Sequence, residues 1–131
     1  MFLLDTDTLV FMLRGQGSVE QHLRSHAGTP KAISVISYGE LLYGAMRSGR
    51  AMENLARVRR LPESLPVVDV SMSVMETFGQ IKVDLEKSGR RVDDFDLLIA
   101  STALMMNYAL VTNNTRHFMG IPGLRLDNWA R

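Results

Sequence analysis

The 131-residue chain has no cysteine, which excludes disulfide scaffolds, thiolate zinc sites and cysteine nucleophiles. A reducing compartment fits that absence. Charge of one sign is also lacking, since 15 Lys and Arg stand against 14 Asp and Glu, a net charge of +1. This balance excludes a histone-like or ribosomal type of nucleic-acid binder, but it leaves room for local patches. Long hydrophobic runs are missing as well. The longest uncharged stretch, Leu97 to Thr115, is interrupted by Ser101, Thr102, Asn107, Thr112, Asn113 and Asn114. It reads as a buried helix followed by a buried strand, not as a membrane span. At the start, Met1-Phe2-Leu3-Leu4 runs straight into Asp5, without the basic and apolar regions of a secretory leader. No membrane association is expected, and the cytoplasm is the expected location. With 46% apolar residues and this length, one packed core and a single domain over residues 1–131 are expected.

What is present alternates. Phe2-Leu3-Leu4 is a short apolar run ending at a carboxylate, followed by a helix over Thr6 to Leu13 that Gly15 and Gly17 close. Ser18-Val19-Glu20-Gln21 has a capping-box pattern for a short helix ended by Gly28 and Pro30. A second apolar run, Ala32 to Ile36, leads to Ser37-x-x-Glu40, again a capping box, and a helix carrying Leu41, Leu42, Ala45 and Met46. An amphipathic helix is expected over Arg50 to Leu61, then a strand at Val67 to Val70 and a helix capped by Ser73-x-x-Glu76. The uncharged helix Asp96 to Tyr108 precedes a fourth strand at Ala109 to Thr112, a turn at Asn113 to Thr115 and a last strand around Leu124 to Leu126. Short, continuously apolar strands between helices predict a three-layer α/β/α sandwich around a short, mostly parallel sheet.

In such sheets ligands bind beyond the carboxyl ends of the strands. Asp5 ends strand 1, Glu40 follows strand 2, Asn113-Asn114 end strand 4, and Asp93-Asp94-Phe95-Asp96 open the helix leading into strand 4. Carboxylates gathered at one sheet edge repel each other, so a cation or a partner base is called for. Their oxygens suit Mg²⁺ or Mn²⁺, and a bound divalent cation activates water and stabilises charge on a phosphoryl group. Metal-assisted phosphodiester hydrolysis follows. Each acid also has a structural explanation: Glu40 as a capping-box glutamate, Asp93 or Asp94 as an N-cap, Asp96 as a first-turn acid, and Asp5 as the N-cap of the helix it precedes. A cap explains one of Asp93, Asp94 and Asp96, not all three.

Five segments together resemble the signatures of PIN-domain toxins of the VapC type. They are Phe2-Leu3-Leu4-Asp5-Thr6-Asp7, Ile36 to Gly44, Asp94-Phe95-Asp96-Leu97-Leu98-Ile99-Ala100, Leu110 to Phe118, and Ile121 to Trp129. The resemblance spans nearly the whole chain and implies a Mg²⁺-dependent endoribonuclease, with Mn²⁺ able to substitute, acting as the toxin of a type II toxin–antitoxin pair. It implies Asp5 and Asp96 as principal metal-binding carboxylates, Glu40 as the third, directly or through water, and Asn114 where many members carry a fourth acid. Thr112 would help orient that edge. His117 stands at a position often acidic. The implied substrate is structured RNA, with tRNA as the favoured class. A VapB-like antitoxin, a homodimer, and DNA contacts made only through the antitoxin are further implications. The alternative is a catalytically silent PIN-like module that works only through its partner.

Two basic groups are read beside this: Arg47, Arg50, Arg57, Arg59 and Arg60, and Lys87, Arg90 and Arg91. They would hold RNA phosphates or form a solvated helix face, with Glu53 pairing Arg57. The nine Met are expected to fill core gaps. His22 and His26 stand at metal-ligand spacing on what reads as a surface helix face, and Trp129 is expected to pack down the C-terminal segment.

Overall fold

Along each central strand, neighbouring residues point to opposite faces of the sheet, and both faces are dry. Leu3, Ala32 and Leu110 enter one core cluster, while Leu4, Ile33 and Val111 enter the other. In the computed structural model, which describes residues 1–131, five strands make one all-parallel sheet. They are β1 (Phe2–Leu4), β2 (Lys31–Ser34), β3 (Val67–Val68), β4 (Ala109–Val111) and β5 (Leu126–Asp127), in the order β3-β2-β1-β4-β5. Helices α1 (Thr6–Leu13), α2 (Gly17–Ser25), α3 (Val35–Met46) and α4 (Ala51–Arg60) cover one face. Helices α5 (Met72–Lys87), α6 (Asp94–Met106) and α7 (Thr115–Phe118) cover the other. The three-layer arrangement expected from the sequence is the one observed.

The strand order fixes the place of the site. The chain winds outward from β1 through β2 to β3, then returns to lay β4 on the other side of β1. The connections on either side of β1 therefore run to opposite faces and leave a crevice beyond the carboxyl ends of β1 and β4.

Local details differ from the sequence reading where an earlier polar residue takes over a helix start. Ser34, not Ser37, caps α3 through Ile36 N (3.0 Å), so β2 ends at Ser34, short of Ile36. Gln16 caps α2 by accepting from Val19 N (2.8 Å), and Ser18 instead donates to the Trp129 carbonyl (2.9 Å). Ser71, not Ser73, caps α5. In each case the helix starts upstream of the predicted capping box. The turn after β4 closes into α7, which the sequence did not announce. Methionine fills little of the core: Met46, Met52, Met72, Met75, Met105 and Met119 are exposed, and the sheet-facing positions hold Leu, Ile, Val and Ala. Leu, Ile, Val and Ala lose less rotamer freedom on burial than Met does.

Candidate active site

Helix α1 starts directly after β1, and this junction positions the central acid. Asp5 is the α1 N-cap: its Oδ1 accepts from Thr6 N at 2.8 Å, satisfying one of the free amides of the first turn. Its Oδ2 accepts from Thr112 Oγ1, also at 2.8 Å, on the residue that follows β4. The Asp5 amide donates to the Val111 carbonyl (2.9 Å), so the sheet ladder carries the acid to the edge. Thr112 Oγ1 in turn accepts from Asn114 N (3.0 Å). Asp5 is only 6% exposed, with no cationic side chain hydrogen-bonded or ion-paired to it.

That environment is electrostatically strained. Burial pushes the Asp5 carboxyl up to about 7, and the neighbouring Asp7 charge pushes the same way. Hydrogen bonds from Thr112 and Thr6 pull it down, and Asp96 adds a further upward push. Asp7 accepts from Asn113 N (3.0 Å) and from Thr8 Oγ1 (3.2 Å), which turns its carboxylate onto the loop after β4. The sequence reading treated Asp7 only as context for Asp5. The available signal was its place two residues into a helix whose N-cap is itself an Asp, which keeps both acids at the same helix end.

Asp96 lies in the first turn of α6, three residues after the N-cap Asp93, whose Oδ2 accepts from Phe95 N (3.2 Å). Burial raises the Asp96 carboxyl, with Asp93 and Asp7 adding to it, while His117 opposes the rise. His117 Nε2 stands 2.9 Å from Asp96 Oδ2, brought there by α7. Asp94 faces elsewhere and pairs with Lys82 Nζ (2.9 Å). Glu40 joins the group through Thr6, whose hydroxyl donates to Glu40 Oε1 at 2.6 Å and lies 2.9 Å from Ser37 Oγ. Glu40 is thus not a capping-box residue, because Ser34 already caps α3. Asn114 is exposed and meets the site through its backbone amide to Thr112.

The remaining candidates separate from this cluster. Glu53 pairs with Arg50 (3.7 Å), not with Arg57, because Arg57 reaches across to the Leu13 carbonyl. Arg90 reaches the Met119 carbonyl. His22 and His26 are not a plain surface face: both stack on the buried Trp129, with ring centroids 5.6 and 5.2 Å away.

No three Asp, Glu or His side chains close into a ready-made coordination sphere. Each carboxylate leans on a neighbour: Asp5 on Thr6 and Thr112, Glu40 on Thr6, Asp96 on His117. The donor chemistry nevertheless fits a hard divalent cation that keeps most of its waters and takes one or two carboxylates. Such a charge would relieve the repulsion that raises Asp5 and Asp96. Asp5, Asp96 and Glu40 are the residues that would hold it.

A family model described as PIN domain matches residues 2–122. The chain is 34% identical over 130 residues to a tRNA(fMet)-specific endonuclease VapC of Shigella flexneri, with 98% of each chain covered. It is 34% identical over 133 residues to the ribonuclease VapC2 of Rickettsia felis, covering 100% of this chain and 99% of that one. Its fold matches that of a crystal structure of VapBC2 from Rickettsia felis bound to a promoter DNA fragment, with a TM-score of 0.91, 33% identity and 98% of both chains covered. DNA-bound VapBC from Salmonella typhimurium is similar with a TM-score of 0.90 at 33% identity, covering 98% of this chain and 97% of that one. The chain belongs to the PIN-domain family, as a ribonuclease of the VapC toxin type.

Proposed function

We propose that residues 1–131 act as one nuclease domain that hydrolyses a phosphodiester bond in structured RNA, with tRNA as the substrate class, in a Mg²⁺-dependent reaction that Mn²⁺ also supports. The observation that carries this reading is the buried Asp5, crowded by Asp7 and Asp96 beyond the carboxyl ends of β1 and β4. A relative named for cleavage of tRNA(fMet) supports the substrate class. When bound, the divalent cation supplies a more acidic water and neutralises charge developing on the phosphoryl oxygens. The protein's own part is positioning. Thr112 fixes one Asp5 oxygen, and Thr6 links Asp5 to Glu40 by giving its amide to one and its hydroxyl to the other. The N-termini of α1 and α6 both open on this edge, where their dipoles favour a phosphate.

The toxin role adds a partner. A cleft of about 250 Å³ runs from Thr6 and Glu40 between α1, α3 and α4, with Val10 and Leu41 on its walls and Arg14 and Arg57 at its rim. We read it as the seat of a VapB-like antitoxin segment, which would block RNA from the carboxylates beside it. VapBC complexes among the structural relatives support this partner, and their bound promoter DNA agrees with DNA contact made through the antitoxin. A homodimer and a cytoplasmic location complete the reading; no helix is long and apolar enough to cross a membrane. The test is cleavage of a tRNA pool by purified, antitoxin-free protein. EDTA is expected to abolish it, and Asp5→Asn and Asp96→Asn to suppress it. Cleavage that persists through all three would reject the reading.

A further inference from the structure

His117 sets a ring nitrogen among the oxygens of the site. Its Nε2 lies 2.9 Å from Asp96 Oδ2, and both side chains are about one-third open to solvent, at 31% and 30%. Neighbouring ligands in an octahedral sphere with bonds of about 2.1 Å stand about 3.0 Å apart. The 2.9 Å contact is a hydrogen bond as it stands, and its length is also close to the spacing of two adjacent ligands; a cation would take both atoms once the Nε2 lone pair turns from Oδ2 toward it. Imidazole is a poor ligand for Mg²⁺, which prefers oxygen, and a good one for first-row transition cations.

We propose that His117 is a nitrogen ligand of the cation held by Asp96, and that the site consequently prefers Mn²⁺ and later first-row cations to Mg²⁺. This rests on the reading that Asp96 holds a divalent cation, and it changes which one the chain selects. Asp96 and His117 then act as a mixed oxygen–nitrogen edge of the cation's sphere, with waters at most of its other positions. Before the cation arrives, His117 Nε2 rests against Asp96 Oδ2. The helix α7, only four residues long, acts by carrying this one ring to the carboxylate.

The test is cation binding by the full chain without its antitoxin, read by pulsed electron paramagnetic resonance on bound Mn²⁺ and by calorimetry with Mn²⁺ and Mg²⁺. A nitrogen hyperfine coupling of imidazole type is expected in the unmodified protein and its loss in His117→Gln, whose amide still donates to Asp96 but offers no imidazole nitrogen. Mn²⁺ is expected to bind at least about ten-fold more tightly than Mg²⁺, with the ratio falling several-fold in His117→Gln and in His117→Glu. Mn²⁺ binding that shows no nitrogen coupling in the unmodified protein, with the ratio unchanged in both variants, would overturn the proposal and leave the nuclease reading standing. Failure of either cation to bind, together with cleavage insensitive to EDTA, would overturn both.

Discussion

Two regions of the molecule gather side chains able to bind metal, and they differ in what their neighbours do. Beyond β1 and β4, Asp5, Asp7 and Asp96 crowd together: burial, Asp7 and Asp96 push the Asp5 carboxyl upward, and burial, Asp93 and Asp7 push that of Asp96. Around the C-terminal segment, His22 and His26 lie parallel to Trp129, Phe2 closes edge-on at 5.0 Å, and His26 Nδ1 meets the His22 carbonyl at 2.9 Å. The second group is satisfied by stacking and backbone contacts and serves packing. The first carries repulsion that Thr6, Thr112 and His117 offset only in part, since both carboxyls remain raised. Electrostatic strain, more than residue type, therefore separates a candidate site from a structural cluster.

The largest expected effect breaks the acidic side. Asp5→Asn or Asp96→Asn should lower RNA cleavage roughly a thousand-fold, because each removes a charge that balances the cation; single-turnover kinetics on antitoxin-free protein read it. The matching experiment on the aromatic side is Trp129→Ala. It should cost about 3–4 kcal/mol of stability through the cavity it leaves under α2, measured by guanidinium unfolding, while divalent-cation affinity of the folded protein stays unchanged. A loss of cation affinity there would erase the contrast between the regions.

The next effect is pH dependence in EDTA. Asp5 has a folded value of about 7 against an ordinary value of 3.8, so folding favours its protonated form. Its stabilising contribution is complete below pH 3.8 and is lost as pH rises through about 7. The loss should reach roughly 4 kcal/mol by pH 8. Asp5→Asn should flatten this slope, and saturating Mn²⁺ should restore the melting temperature of the unmodified protein at pH 8; thermal melts at stepped pH read both. The smallest effect is that of Thr112→Val, which removes the donor to Asp5 Oδ2. It should cost about 1 kcal/mol and shift the midpoint of the pH–rate profile upward, as Asp5 becomes harder to ionise.

Much of this was legible locally. The apolar runs at β1 and β4 and the uncharged α6 were readable because burial on both faces leaves no room for polar residues. Asp5, Asp96 and Glu40 stood out because each closely follows a strand or opens a helix. The capping boxes at Ser18, Ser37 and Ser73 misled because the same four-residue pattern occurs inside a helix once an upstream side chain has taken the cap. Methionine misled because its hydropathy is silent on which helix face it occupies. Asp7 and the His117–Asp96 contact were hidden for another reason: their partners lie far along the chain.

By itself the sequence determined the alternation of short buried strands with helices, and the acids that follow strands and open helices. These follow from hydrophobic periodicity and capping, which act over a few residues. Only the tertiary structure decided that β4 returns beside β1. That pairing sets Thr112 against Asp5 across 107 residues, turns Asp7 onto the Asn113 amide and lays His117 on Asp96. The strands are too short and too alike for their sequences to select neighbours. Their order is set by which packing buries both faces of the sheet at once, and that is a property of the whole chain.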